Sequence, residues 1–136
     1  MADFYCDEVL SGRTPVERIF ESENVLAFLH TRPYYRHHVV VIPKRHIESL
    51  LALGEEDAAL ATELLAAVRE VAAEVVAAEG GAHVVTNIGA YQDSKHLHFH
   101  IGADRADRHP FEIVTLDGPR SRNVPPRCID LSANTP

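Results

Sequence analysis

The sequence predicts an α+β domain: a mostly antiparallel sheet of about five strands, one long helix laid on it, and a short helix at the N-terminus. Three observations predict this. Residues 55–79 carry one uninterrupted helical apolar period. Several short apolar or β-branched runs are bounded by Gly, Pro, Asn and Ser. No internal repeat or second domain breaks the 136 residues, a length that suits one domain with a real core.

The elements follow in chain order. "EVLSG" is a short amphipathic piece closed by Ser11 and Gly12. "RIFES" and "NVLAFL" read as two strands that turn near Glu23 and Asn24. Val39–Ile42 in "HHVVVIPK" is a β-branched run stopped by Pro43, which suits a strand buried on both faces. In residues 55–79 the expected stripe is Ala61, Leu64, Leu65, Val68, Val71, Ala72, Val75 and Val76. Glu55, Glu56 and Asp57 favour the positive end of that helix, and Gly80-Gly81 ends it. "AHVVTNIG" and "KHLHFHIG" are the remaining strands, separated by the turn "YQDS".

Composition excludes several roles. The net charge of -7 argues against binding nucleic acid or an anionic membrane as the main activity. The N-terminus "MADFYCDEVL" lacks the apolar core of a secretory signal. No apolar run is long enough to span a bilayer. Two cysteines, Cys6 and Cys128, make no disulfide scaffold, so a cytoplasmic protein with reduced thiols is expected.

Chemistry concentrates in "HLHFH". Strand alternation sets His96, His98 and His100 on one face, about 6.5–7 Å apart, and Leu97, Phe99 and Ile101 on the other. An inert, solvated strand has little use for three aligned imidazoles. Two chemistries compete. The triplet, with His37, His38 or His46, can hold a metal ion that activates water for phosphoester hydrolysis. Alternatively, a neutral imidazole attacks phosphorus and forms a phosphoramidate.

"HLHFHIG" resembles the His-φ-His-φ-His-φ-φ signature of the histidine triad (HIT) superfamily of nucleotide hydrolases and transferases, with Gly102 in the last apolar place. "FESENVLAFLHTRP", "RHHVVVIPKRHI", the long helix, "NIG" and Gln92 resemble that family in the same order, over about residues 4–105. The resemblance implies a HIT domain at residues 1–105 and a C-terminal extension at 106–136 that packs near the active site. It implies that His98 takes up the nucleotidyl group, His100 lies by the leaving group, His96 supports His98 through its carbonyl and ring, and His38 joins their network. Asn87, Gln92, Asp93 and Ser94 would meet the phosphate or leaving group. Phe28, Tyr5, Val9 and Leu10 would wall the base, which is expected to be a purine. His30 stands where the family usually carries an acidic residue on the ribose hydroxyls. Arg105, Arg108, Arg120, Arg122 and Arg127 would either reach a polyphosphate or form a solvated tail.

The implied reaction requires no cofactor: two displacements at an α-phosphate that release a nucleoside monophosphate. Some relatives hold structural zinc, and the matching set is Asp3, Cys6, His38 and His96; Cys6 as a small buried apolar side chain is the simpler reading. Family members are commonly homodimers, so a homodimer is expected. A metal-dependent phosphoesterase and a non-catalytic nucleotide-binding protein are the alternatives.

Overall fold

The computed structural model describes residues 3–103. The predicted C-terminal extension and its arginines lie outside the described residues. The short N-terminal helix is a π-helical turn, Tyr5–Leu10. Five strands follow: β1 Arg18–Glu21, β2 Val25–Leu29, β3 His37–Pro43, β4 His83–Val85 and β5 Phe99–Ala103. Helix α1, Ala58–Glu79, runs between β3 and β4. The strands form one sheet in the order β1-β2-β3-β5-β4, with every neighbouring pair antiparallel.

β3 sits at the centre because it can be buried on both sides. Its residues from His38 to Pro43 are all buried, as a continuous β-branched run predicts. Register then sorts the side chains. Phe28 pairs with Val40, and Val40 with His100; Leu26 pairs with Ile42. These residues share one face, which the N-terminal turn covers with Tyr5 and Val9. Val25, Ala27, Val39, Val41, Phe99 and Ile101 take the opposite face and pack on α1.

The helix begins three residues later than the acidic run suggests. Glu55–Asp57 form a separate 3-10 turn. Asp57 accepts the Gly54 amide at 2.9 Å and pairs with Arg45. At its other end α1 stops at Gly80, whose φ of 89° is costly for any residue with a Cβ. The buried stripe is narrower than predicted: Leu64, Ala67, Val68, Val71 and Val75. Leu65 and Val76 are exposed, since each lies one residue, about 100°, off that row. Leu64→Ala is expected to cost about 2–5 kcal/mol through lost burial and a residual cavity, read as a lower urea midpoint.

β5 is shorter than the alternating stretch. It starts at Phe99, so His96 and His98 lie in the segment that leads into it. Their alternation persists: Leu97, Phe99 and Ile101 all enter the helix-facing core. Among the described residues no helix is long and apolar enough to cross a membrane.

Candidate active site

All three histidines of the triplet are buried, so neither side of that segment is a solvated face. Burial makes each ring's hydrogen bonds decide its tautomer, because a neutral imidazole has one donor and one acceptor. His98 Nδ1 lies 2.6 Å from the His96 carbonyl oxygen, which can only accept. Nδ1 therefore carries the proton. Burial lowers the His98 pKa below 6.5, so the ring is neutral and its Nε2 lone pair is free. That is the tautomer an attacking imidazole needs.

His100 has the opposite tautomer. The Tyr34 amide donates to His38 Nδ1 at 3.3 Å, so the His38 proton sits on Nε2. His38 Nε2 is 2.9 Å from His100 Nδ1 and donates to it, which leaves the His100 proton on Nε2. The His98 and His100 rings meet edge to face at 4.8 Å, closer than their strand spacing suggests. A lone pair and an N–H donor thus stand side by side. Burial, then the neighbouring imidazoles, lowers His38 to about 3 and His100 to about 4.

These shifts predict a pH effect on stability. An unfolded histidine titrates near 6.5, whereas the folded chain excludes the proton until about 4 at His100 and about 3 at His38. The unfolded state therefore binds more protons in between. Stability should be complete above about pH 6.5 and fall as pH drops towards those folded values. Denaturant midpoints measured down that range check the sign, and His38→Phe should flatten the fall.

His96 faces a different neighbourhood. Its Nε2–H donates to the Pro43 carbonyl at 2.8 Å, so Nδ1 presents a lone pair. That nitrogen faces Asp3 Oδ2 at 2.9 Å and Cys6 Sγ at 3.3 Å, an approach to a carboxylate that only a proton or a cation on the nitrogen makes favourable. His46 Nδ1 meets the same Asp3 oxygen. Burial raises the Asp3 carboxyl, but its bonds to Cys6 and His96 reverse this and hold it well below the usual carboxylate range. Burial and Asp3 push the Cys6 thiol up to about 11. One atom each from Asp3, Cys6, His46 and His96 lies within 4.8 Å of the others. A thiol, a carboxylate and two imidazoles suit a borderline cation such as zinc, and the His96–Pro43 bond is the outer-shell contact such a ligand usually has. The metal set anticipated with His38 is not brought together. His38 lies instead with His30 and His100, one strand register away, and His46 takes its place.

The loop before the triplet also differs from expectation. Gln92 accepts the Gly89 amide at 3.2 Å and donates to the carbonyls of Glu48 at 2.8 Å and Ser94 at 3.3 Å. Ser94 Oγ accepts the Phe4 amide at 3.1 Å and lies 3.4 Å from Asp3. Both side chains are buried and engaged within the protein, and these bonds pin the loop. Asp93 between them is exposed, and its charge acts on His30, His98 and His100. Half-buried Asn87 follows Thr86, whose hydroxyl donates to the His98 carbonyl at 2.8 Å, and has no hydrogen bond among the described residues.

Of the expected apolar wall, Tyr5, Val9 and Phe28 are buried in a closed cluster, and Leu10 is half-buried. The Tyr5 ring lies 4.8 Å from His98 and 6.1 Å from Phe28. The sequence sets Tyr34 and Tyr35 over a pocket mouth or at a subunit contact; in the structure Tyr34 stands against the histidine cluster. Its amide sets the His38 tautomer, a role that nothing in "RPYYRHH" reveals, and its ring touches His30, His38 and His100. Beside it, a Cβ on Gly102 would lie 2.5 Å from both the His37 carbonyl and the Tyr35 ring. Gly102→Val should therefore displace Tyr35 from His38, visible as changed histidine ring resonances in NMR.

Comparison with known proteins agrees with this arrangement. A profile of the HIT domain matches residues 11–107. An uncharacterized HIT-like protein of Helicobacter pylori is 32% identical over 97 residues, covering 70% of this chain and 90% of its own. One of Azospirillum brasilense is 36% identical over 104 residues, covering 71% and 82%. Among solved structures, a HIT family hydrolase from Legionella pneumophila superposes with a TM-score of 0.68 at 28% identity, covering 80% of this chain and 98% of its own. A hypothetical histidine triad nucleotide-binding protein from Sulfolobus tokodaii gives 0.65 at 31%, covering 78% and 71%. With the domain profile spanning most of the chain and the three histidines held buried in one segment as described, the chain belongs to the histidine triad (HIT) family.

Proposed function

We propose that the chain is a nucleotide hydrolase or nucleotidyl transferase that cleaves at the α-phosphate of a purine nucleotide derivative through a nucleotidyl-His98 intermediate. The carrying observation is the pair of opposite tautomers: a free His98 Nε2 lone pair beside the His100 Nε2–H, their rings 4.8 Å apart. The hydrolase and nucleotide-binding descriptions of the Legionella and Sulfolobus relatives support the reading.

In the first step His98 Nε2 bonds to the α-phosphorus as the bond to the leaving group breaks. His100 Nε2–H donates a hydrogen bond to the departing atom, which leaves with a proton that the substrate itself carries, as on the protonated nitrogen of a phosphoramidate. The His96 carbonyl, holding His98 Nδ1–H, stabilises the positive ring this creates. In the second step water attacks phosphorus beside the same His100 donor, its proton leaves with the monophosphate, and the P–N bond breaks to release that product. His98 then has its starting tautomer, and His100 keeps its own throughout. Positioning and fixed donors supply the acceleration. Mixing with adenosine 5′-phosphoramidate and quenching in alkaline denaturant should leave one adenylyl group on the peptide containing His98. A peptide that never carries the added mass, while turnover proceeds, would falsify the covalent route.

We further propose a structural divalent metal on Asp3, Cys6, His46 and His96, which when bound ties the N-terminal turn to His96. Metal analysis should find about one zinc per chain, and a chelator should lower the melting temperature while the folded protein keeps turning over. Chelation that abolished turnover without unfolding would favour the metal-bound-water alternative. The chain is also read as a cytoplasmic homodimer, which sedimentation analysis tests for its oligomeric part.

A further inference from the structure

His30 is the one imidazole near His100 that the proposed reaction does not use. Its ring is nevertheless firmly held. It stacks on His38 at 4.1 Å with planes 16° apart, meets Tyr34 edge-on at 5.7 Å and lies 5.5 Å from His100. The backbone continues the sheet, with the His30 amide donating to the His38 carbonyl at 2.9 Å.

The ring's tautomer follows from one bond. The Arg32 amide donates to His30 Nδ1 at 2.9 Å, so Nδ1 is an acceptor and the ring proton sits on Nε2. Among the described residues that Nε2–H has no acceptor. The same bond argues against a metal on His30, His38 and His100, although one nitrogen from each lies within 4.8 Å of the others. Ligand imidazoles donate their second nitrogen to an acceptor, whereas His30 and His38 both receive a backbone N–H there. Two rings stacked nearly parallel also aim their lone pairs side by side rather than at one point.

The exposed Arg32 guanidinium is the second observation. Arg18, Arg36, Lys44, Arg45 and Arg69 each pair with a carboxylate. Arg32, two residues from His30, has no such partner among the described residues. A fixed N–H on a ring 5.5 Å from His100 and an unpaired guanidinium two residues along the chain suit an anion, to which both can donate hydrogen bonds. The exposed Asp93 carboxylate opposes this, but solvent screens it, and a direct bond outweighs a screened repulsion.

We propose that His30 and Arg32 form a subsite for a second phosphate, so that the protein selects nucleotides carrying one besides the α-phosphate. This rests on the nucleotide reading of the His98 site. The second phosphate can come from the sugar or from the β-position of the leaving group, and the ligands distinguish them.

Equilibrium binding to the full chain is measured with AMP, adenosine 3′,5′-bisphosphate and α,β-methylene-ADP, whose bridge resists cleavage. One of the two-phosphate ligands should bind about tenfold or more tightly than AMP, and which one identifies the source. His30→Leu should bring that ligand to within about twofold of AMP. His30→Gln, which keeps an N–H donor, should retain part of the preference, and His30→Asp should reverse it by repulsion. Arg32→Ala, at an exposed position, should reduce it without affecting folding. If AMP binds and wild type shows no preference, or if His30→Leu keeps the preference, this inference is overturned while the nucleotide reading stands. If none of the three binds wild type, the nucleotide reading fails and the subsite with it.

Discussion

His98→Ala should lower turnover of any accepted nucleotide substrate by about 10⁴-fold or more, with the fold intact. The magnitude follows from the division of labour. Removing a covalent nucleophile eliminates both half-reactions at once, and members of such a unit are not additive. What survives is whatever positioning and fixed donors offer to direct attack by water. The ring is buried against Tyr5, so alanine also leaves a small void. Circular dichroism and the urea midpoint therefore accompany the rate measurement, and His98→Asn, closer in volume, repeats it. Wild-type rates in either folded variant would remove His98 from the nucleophile's role.

His100→Gln is the second large effect, and its size should depend on the leaving group. Glutamine keeps an N–H donor but cannot hold it where the His38-anchored ring does. A poor leaving group, which leans most on that donor as charge builds on the departing atom, should slow by about 10²–10³-fold, the usual range for one lost donor. A nitrophenolate, stable as an anion, should slow far less. The comparison is kcat/KM for an adenosine phosphoramidate against the nitrophenyl ester of AMP. Equal losses on both would mean that His100 acts by holding structure. The assignment depends on His38, since His38 Nε2–H is what obliges His100 to keep its proton on Nε2. His38→Ala should therefore reproduce part of the same leaving-group dependence at a position that does not touch the substrate.

Much of the fold could be read from local pattern. The β-branched run of β3 announces a strand buried on both faces, and burial follows it residue for residue. The alternation in "HLHFHIG" separates Leu97, Phe99 and Ile101 from the histidines, and those three enter the helix-facing core. The helix is legible because 22 residues repeat one period, a signal long enough to outweigh local exceptions. Its start was not, because a run of acids suits a first turn and a preceding 3-10 turn equally. The role of Asp57 depended on Arg45, twelve residues earlier.

The site was legible in its residue types and not in their partners. Gln92 and Ser94 carry groups that suit a ligand, yet their hydrogen bonds go to Glu48, Gly89 and Phe4. His38 and His46 are equally plausible ligands in "HHVVVIPKRHI", and only the register decides between them. His38 is aligned with Gly102 beside His100, whereas His46 lies past the end of β3, close to His96.

The sequence by itself determined which residues face which side of the sheet, because period and alternation are properties of adjacent residues. It thereby determined that three imidazoles share one segment and that apolar side chains back them. The tertiary structure alone decided which nitrogen of each ring carries the proton. That choice rests on single hydrogen bonds to the Pro43 and His96 carbonyls and from the amides of Tyr34 and Arg32. Backbone groups are the same in every residue, so no pattern of side chains reveals which will meet an imidazole. In this protein those meetings decide which of several chemically identical rings offers a lone pair and which offers an N–H.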